Sequence, residues 1–304
     1  MFVKKYLLIL LPVLMAIVFS SCGANRSEPE PPLSDLQVHV IEAQETDPNP
    51  EELLSIHFID VGEGDAILIV QGNYSMLVDG GPPEMGTAVV DYLRSHSINR
   101  LDYVIATHPF TDHVGGLRNV LRLISTRNIL LPMVYHDTPT YNSFLVAAED
   151  SVANVTVPFA GHTFALGNAT VTVLSPDTAD EWENRANYSI VMRVEFGSTS
   201  FLLMGDAMRE VEANLLDSTA QLSSDVLKVA RHGASSATTR AFLDAVSPSI
   251  AVISAGADNS FLSQEALRRL NDVGAHIFRT DLNGSIVITS DGAILSAGVE
   301  RVDR

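Results

Sequence analysis

The sequence predicts an α/β fold, and three observations lead to it. Hydrophobic residues make up 46% of the 304 positions, enough to pack one large core and too many for a disordered chain. From Leu53 onward, apolar runs of strand length alternate with segments whose apolar residues recur at helical spacing. Glycine, asparagine and aspartate cluster between these segments and mark the turns.

Taken in order, residues 56–61, 66–70 and 75–78 read as three strands. Residues 87–97 form an amphipathic helix with Val89, Val90 and Leu93 on one face. Residues 101–106 are a buried strand, and Val114, Leu117, Val120, Leu121 and Ile124 line one face of the helix after it. A short strand at 128–131 and a helix at 141–152 follow, then short strands between 155 and 174 with turns at Gly161 and Gly167-Asn168. Segments 189–196 and 199–204 read as a hairpin through Gly197-Ser198 that delivers Asp206 at its end. Beyond a helix at 208–216, buried strands at 225–230, 250–254 and 275–279 are separated by helices at 239–245 and 264–273. The tail reads as a meander with turns at Asn283-Gly284 and Asp291-Gly292.

The N-terminus has a different character. Lys4 and Lys5 precede an apolar run, residues 6–19, and then Ser20, Ser21 and Cys22. A basic stretch, an apolar core and small residues make residues 1–21 a secretory signal. With Cys22 at the junction the segment resembles a bacterial lipobox, whose processing attaches lipid to that sulfur. Residues 22–52 are a Pro-rich acidic linker, broken by a β-like piece at 36–41, and residues 53–304 are the domain. The expected location is the bacterial cell membrane, with the domain held by its lipid outside the cytoplasm. Cys22 is the only cysteine, which excludes thiol nucleophiles, disulfides and thiolate zinc sites from the domain.

Charge narrows the partners. The chain carries 19 Lys and Arg against 37 Asp and Glu, a net charge of −18. It lacks the counterion-release term that drives non-specific DNA binding. Tight non-specific DNA binding is therefore not expected, and a nucleic-acid substrate would need a local cationic patch or a metal.

Residues 107–116, Thr-His-Pro-Phe-Thr-Asp-His-Val-Gly-Gly, carry the chemistry. His108, Asp112 and His113 fall on the turn between the carboxyl end of a strand and a helix, where ligands gather in α/β sheets. Imidazole and carboxylate suit zinc and related divalent ions. The pattern resembles His-x-His-x-Asp-His of the metallo-β-lactamase-fold hydrolases, and most closely the branch found in the soluble domain of the competence protein ComEC. Further motifs follow in that family's order: residues 57–66, Leu77-Val-Asp79-Gly-Gly, Asn187-Tyr-Ser-Ile-Val, Leu203-Met-Gly-Asp206, residues 225–229 with His232-Gly233, and Arg279-Thr-Asp-Leu-Asn-Gly. The resemblance covers roughly residues 54–297 and implies a four-layer αββα sandwich.

It also implies a site, with departures. The motif's second histidine is Phe110, which has no lone pair to donate, so the first metal position keeps His108 and shares Asp206. The second position has Asp112, His113, Asp206 and His232. One ion, zinc or else manganese, is expected rather than two. Adjacent histidines in the family correspond here to Arg231-His232, which leaves open which of the two positions ligates. A family segment containing Gly-His-Pro is replaced by residues 259–265. The expected catalytic groups are Asp112, His232 and Lys228; Asp79, Asn187, Arg231 and Ser235 would support the ligands or contact substrate. Arg231 could alternatively pair with Asp206 or Asp112 and stand in for the metal. The expected function is metal-dependent hydrolysis of a phosphoester or phosphodiester. The alternative, prompted by Phe110 and Arg231, is a non-catalytic surface-binding lipoprotein descended from such an enzyme.

Overall fold

A computed structural model describes residues 53–301 apart from residue 259. The signal segment, Cys22, the linker with its 36–41 piece, and Asn259 lie outside the described residues. No helix among the described residues is long and apolar enough to cross a membrane.

The first half supplies β1 (Leu54–Phe58), β2 (Ile67–Gln71), β3 (Tyr74–Val78), β4 (Arg100–Ile105), β5 (Ser125–Leu130) and β6 (Asn154–Thr156). Its helices are α1 (Gly86–Ser95), α2 (Thr111–Val114), α3 (Leu117–Leu123) and α4 (Pro139–Asp150). The rest supplies β7 (Thr163–Leu166), β8 (Ala169–Ser175), β9 (Val191–Phe196), β10 (Thr199–Leu203), β11 (Val226–Lys228), β12 (Ile250–Ile253), β13 (His276–Arg279), β14 (Ile286–Ser290) and β15 (Leu295–Val299). With them come α5 (Arg209–Asp217), α6 (Arg240–Val246), α7 (Gln264–Asp272) and α8 (Thr280–Asn283).

Two sheets result, in the orders β15-β14-β1-β2-β3-β4-β5-β6 and β13-β12-β11-β10-β9-β8-β7. Strands β3 to β6 run parallel in the first, and β10 to β13 in the second. Side chains alternate across each sheet, so one set faces the other sheet and one faces helices. Leu54, Ile56, Phe58, Met76 and Val78 meet Val171, Val173, Met192, Phe201 and Leu203 between the sheets. The outer face of the first sheet, with Leu68, Leu77 and Val104, is covered by Val89, Leu93, Val120 and Phe144. On the second sheet, Leu227, Ala251 and Ile253 lie under Val211, Leu215, Phe242 and Leu270. Helix, sheet, sheet, helix is the four-layer sandwich the motifs imply.

Three elements differ from expectation. The helix after the His-Asp-His motif is split into α2 and α3, because Gly116 N–H donates to Gly81 O (2.9 Å) instead of continuing the helix. The strand expected at 225–230 is only three residues long, since the chain turns sharply at Arg231 and His232, both with positive φ. Asn283-Gly284 is no hairpin: it ends α8, which carries the chain from β13 in one sheet to β14 in the other. Asp291-Gly292 does turn β14 back along β15.

Candidate metal centre

The carboxyl ends of parallel strands from both sheets meet at one cleft. Asp79 follows β3, His108 follows β4, Asp206 follows β10 and His232 follows β11. The turn at His108 continues into α2, which brings Asp112 and His113. Gly116 is pressed so tightly on the β3 turn that a Cβ there would sit 1.9 Å from Gly80 O. This contact holds α2 over the cleft.

Four donors form a closed ring. His113 Nε2 is 3.4 Å from Asp206 Oδ1 and 3.6 Å from Asp112 Oδ2; His232 Nε2 is 3.6 Å and 3.4 Å from the same two oxygens. Ligands ~2.1 Å from a tetrahedral cation stand ~3.4 Å apart, and among the sets of three close enough to share an ion are Asp112, His113 and His232, and His108, His113 and Asp206. His108 Nε2 lies 3.6 Å from the other Asp206 oxygen. The side chains of all three histidines are fully buried, Asp206 is 6% exposed and Asp112 is 30% exposed, so entry is past Asp112.

A second layer fixes each imidazole. Thr107 Oγ1 donates to Asp79 Oδ2 (2.6 Å), which leaves that hydroxyl to accept from His108 Nδ1 (3.0 Å). Asp79 Oδ2 also accepts from His113 Nδ1 (2.9 Å), and Ser254 O accepts from His232 Nδ1 (3.1 Å). Every Nδ1 is spoken for, so each Nε2 turns a lone pair inward. The Nε2 atoms of all three histidines and Asp206 Oδ1 are buried without a hydrogen-bond partner. Such atoms are costly unless something binds them, and a divalent cation is what this donor set fits.

Electrostatics agree. Burial penalises Asp206, yet His113, His108 and His232 hold it well below the carboxylate range. Asp112 is drawn down to about 2 against burial, by His113 and His232. Against burial, Asp206, Asp79 and Asp112 raise His113 well above the ordinary imidazole value, and Asp206 and Asp112 raise His232. His108 is lowered, by burial first and then by His113. The carboxylates stay ionised and attract positive charge, for which a proton and a metal ion compete.

The structure thus brings His108, Asp112, His113, Asp206 and His232 together, with Asp79 behind them. It also decides between the adjacent positions: His232 faces the ring and Arg231 does not. The Arg231 guanidinium lies 5.5 Å over the Phe261 ring, with Nη1 3.4 Å from Met208 Sδ. It makes no ion pair with Asp206 or Asp112, so the alternative in which it stands in for a metal is corrected. Lys228 is corrected as well. It is fully buried in an ion pair with Asp65 and cannot reach a substrate, because β11 points it inward behind the histidines. Asn187 is fastened elsewhere: Oδ1 accepts from Met208 N (2.9 Å) and Nδ2 donates to Glu210 Oε2 (3.2 Å). Ser235 is exposed, and its carbonyl is taken by Arg209 (3.1 Å) and Arg269 (3.2 Å). Phe110 stands beside the site, its ring 4.9 Å from His108 and 5.6 Å from His136.

Sequence reasoning missed Thr107, Ser189 and Phe261. Ser189 Oγ accepts from Asp206 N (3.0 Å) and so sets that carboxylate. Thr107 adjoins His108 and was discoverable as a hydroxyl beside a candidate ligand; Phe261 lies in the 259–265 segment that departs from the family pattern.

Comparison with known proteins finds relatives for the domain as a whole. ComE operon protein 3 of Bacillus subtilis is 28% identical over 251 residues, 76% of this chain and 32% of that protein. Competence protein ComA of Neisseria gonorrhoeae is 27% identical over 242 residues, 78% of this chain and 32% of that protein. The chain therefore spans about a third of the length of these relatives. Among solved structures, the metallo-beta-lactamase fold protein YhfI of Bacillus subtilis superposes with a TM-score of 0.54 at 15% identity, covering 78% of this chain and 99% of that one. The model of the metallo-beta-lactamase superfamily matches residues 59–257. With well over half its length in that match, the chain belongs to the metallo-beta-lactamase superfamily.

Proposed function

We propose that this protein is a lipid-anchored hydrolase that cleaves a phosphoester, a phosphodiester in the first instance, with one bound divalent cation. The observation that carries the reading is the ring of four donors 3.4–3.6 Å apart, with their Nδ1 atoms locked from behind. Imidazole nitrogens with carboxylates favour zinc, and manganese is the second candidate. One ion is favoured over two because the ring already uses His113, which leaves the other position His108 and the second Asp206 oxygen among the described residues, with Phe110 beside it. When bound, the cation supplies Lewis acidity at the phosphoryl oxygens and activates water as the nucleophile.

The chain's own residues supply the rest. Asp112 is the one exposed carboxylate of the ring and orients an incoming water at Oδ1 while Oδ2 faces the imidazoles. Asp79 and Ser254 O hold the histidine tautomers. Among the described residues no serine hydroxyl bonds an imidazole of the ring, which supports water rather than a side chain as nucleophile. The basic and apolar N-terminus ending at Cys22 supports tethering outside the cytoplasm.

The test is elemental analysis of the zinc-loaded domain beside hydrolysis of bis(p-nitrophenyl) phosphate. About one ion per chain is expected, with Asp112→Ala slower by roughly a hundredfold or more at an unchanged fold, since it removes a ligand and the water's orientation. A variant as fast as the parent sinks the assignment. A loaded but inactive parent would instead mark a binding protein.

A further inference from the structure

Arg231 is built at a conformational cost that its contacts do not explain. Its φ and ψ are 48° and 48°, and His232 follows at 52° and 26°. Two successive left-handed residues with side chains are unfavourable and point to function when the surroundings enforce them. The strain at His232 brings its Nε2 into the ring. Arg231 receives no comparable return. Its backbone N–H reaches Gly205 O (3.1 Å), next to Asp206, yet its guanidinium turns to Phe261 and Met208. Arg231 is among the described arginines that pair with no carboxylate, and it rests on a phenyl face and a thioether. Those weak partners leave its N–H donors available. Phe261 in turn lies 5.8 Å from the His232 ring, so the same phenyl ring neighbours both the guanidinium and that imidazole.

Charge bookkeeping gives this group a task. Asp112 and Asp206 together balance one divalent cation. Lys228 is spent on Asp65, and Asp79 accepts hydrogen bonds from Thr107 and His113. Arg231 is a positive charge beside this cluster with no carboxylate partner, in a chain of net charge −18 that otherwise repels an anionic substrate.

We propose that Arg231 is the anion-binding residue of this site. Its guanidinium, held over Phe261, takes the non-bridging oxygens of the substrate phosphate. This deepens the phosphoester reading and rests on it. The contact is made equally to bound substrate and to the transition state, so it acts on KM more than on kcat.

Arg231→Gly is the informative variant, because glycine adopts this backbone without strain. On zinc-loaded protein, KM for bis(p-nitrophenyl) phosphate is expected to rise about ten- to a hundredfold, with kcat within about threefold. Calorimetric affinity for dimethyl phosphate, a singly charged diester, should fall by the same factor. The doubly charged p-nitrophenyl phosphate should lose as much or more, Arg231→Lys should recover part of the affinity, and zinc content and Tm should hold or rise. Unchanged KM and dimethyl phosphate affinity overturn the proposal, as does a loss accompanied by falling Tm and zinc content. If the parent hydrolyses neither ester, the phosphoester reading fails on its own. Calorimetry then still decides: dimethyl phosphate bound by the parent and not by Arg231→Gly upholds the anion site, and no binding by the parent overturns it.

Discussion

At the scale of single residues, the protein uses one device repeatedly: a histidine whose inner nitrogen is bonded, so that the outer one is presented. His108, His113 and His232 do this at the cleft through Thr107, Asp79 and Ser254 O. His57 is a structural contrast. It is buried on β1, with Nδ1 3.0 Å from the Tyr92 hydroxyl and its ring 4.9 Å from that of His96. Burial first, and then the charge of His96, push it down to about 4. The neutral form is the one the fold accepts, so this contribution is complete above the unfolded value near 6.5 and is lost as pH falls toward 4. Between pH 7.5 and 5 that amounts to roughly 2 kcal/mol. Urea denaturation of the parent and of His57→Gln at both pH values should show a smaller acid loss in the variant; parallel losses would remove His57 as the cause. Lys228 teaches the reverse lesson about sequence. A lysine before a histidine reads as a substrate contact, and only its neighbours reveal an ion pair with Asp65. Breaking one partner would strand a buried charge.

At the scale of elements, the turns rather than the strands set the site. The β1–β2 turn illustrates this. Asp65 N–H donates to Asp112 O (3.2 Å), and Gly81 N–H to Asp65 O (2.7 Å), so the turn is stitched to α2 and to the β3 turn. Gly64 has φ +144°, and a Cβ on it would meet Asp112 O at 2.3 Å. Gly62, two residues earlier at φ +74°, has nothing within 4 Å. Gly64→Ala should therefore cost roughly 2–3 kcal/mol and, by displacing Asp112, weaken zinc binding about tenfold or more. Gly62→Ala should cost about 1–2 kcal/mol of backbone strain and leave zinc affinity alone. Paired denaturation and zinc titrations check both, and equal zinc affinities would refute the stitched-turn account. The strands themselves were legible because their apolar alternation is local. The break between α2 and α3 was not, because the group that diverts the helix, Gly81 O, comes from another part of the chain.

At the scale of the whole molecule, each sheet brings part of the ring: His113 and Asp112 follow the first, Asp206 and His232 the second. A cation there joins the two halves of the sandwich. The proposed N-terminal tether gives a test at this scale. The full-length chain expressed in bacteria should sediment with membranes, and Cys22→Ala should shift most of it to the soluble fraction; the same distribution for both would exclude lipid at that sulfur. What the sequence determined alone was the layered α/β fold, the order of its motifs and the ligand types, because hydrophobic period and short motifs act over a few neighbouring residues. Tertiary structure decided which of Arg231 and His232 faces the ring, that Lys228 is buried, and that Asn187 braces α5 instead of the ligands. Those outcomes depend on which distant carboxylate, carbonyl or ring each side chain meets, and that is set only when two sheets close on each other.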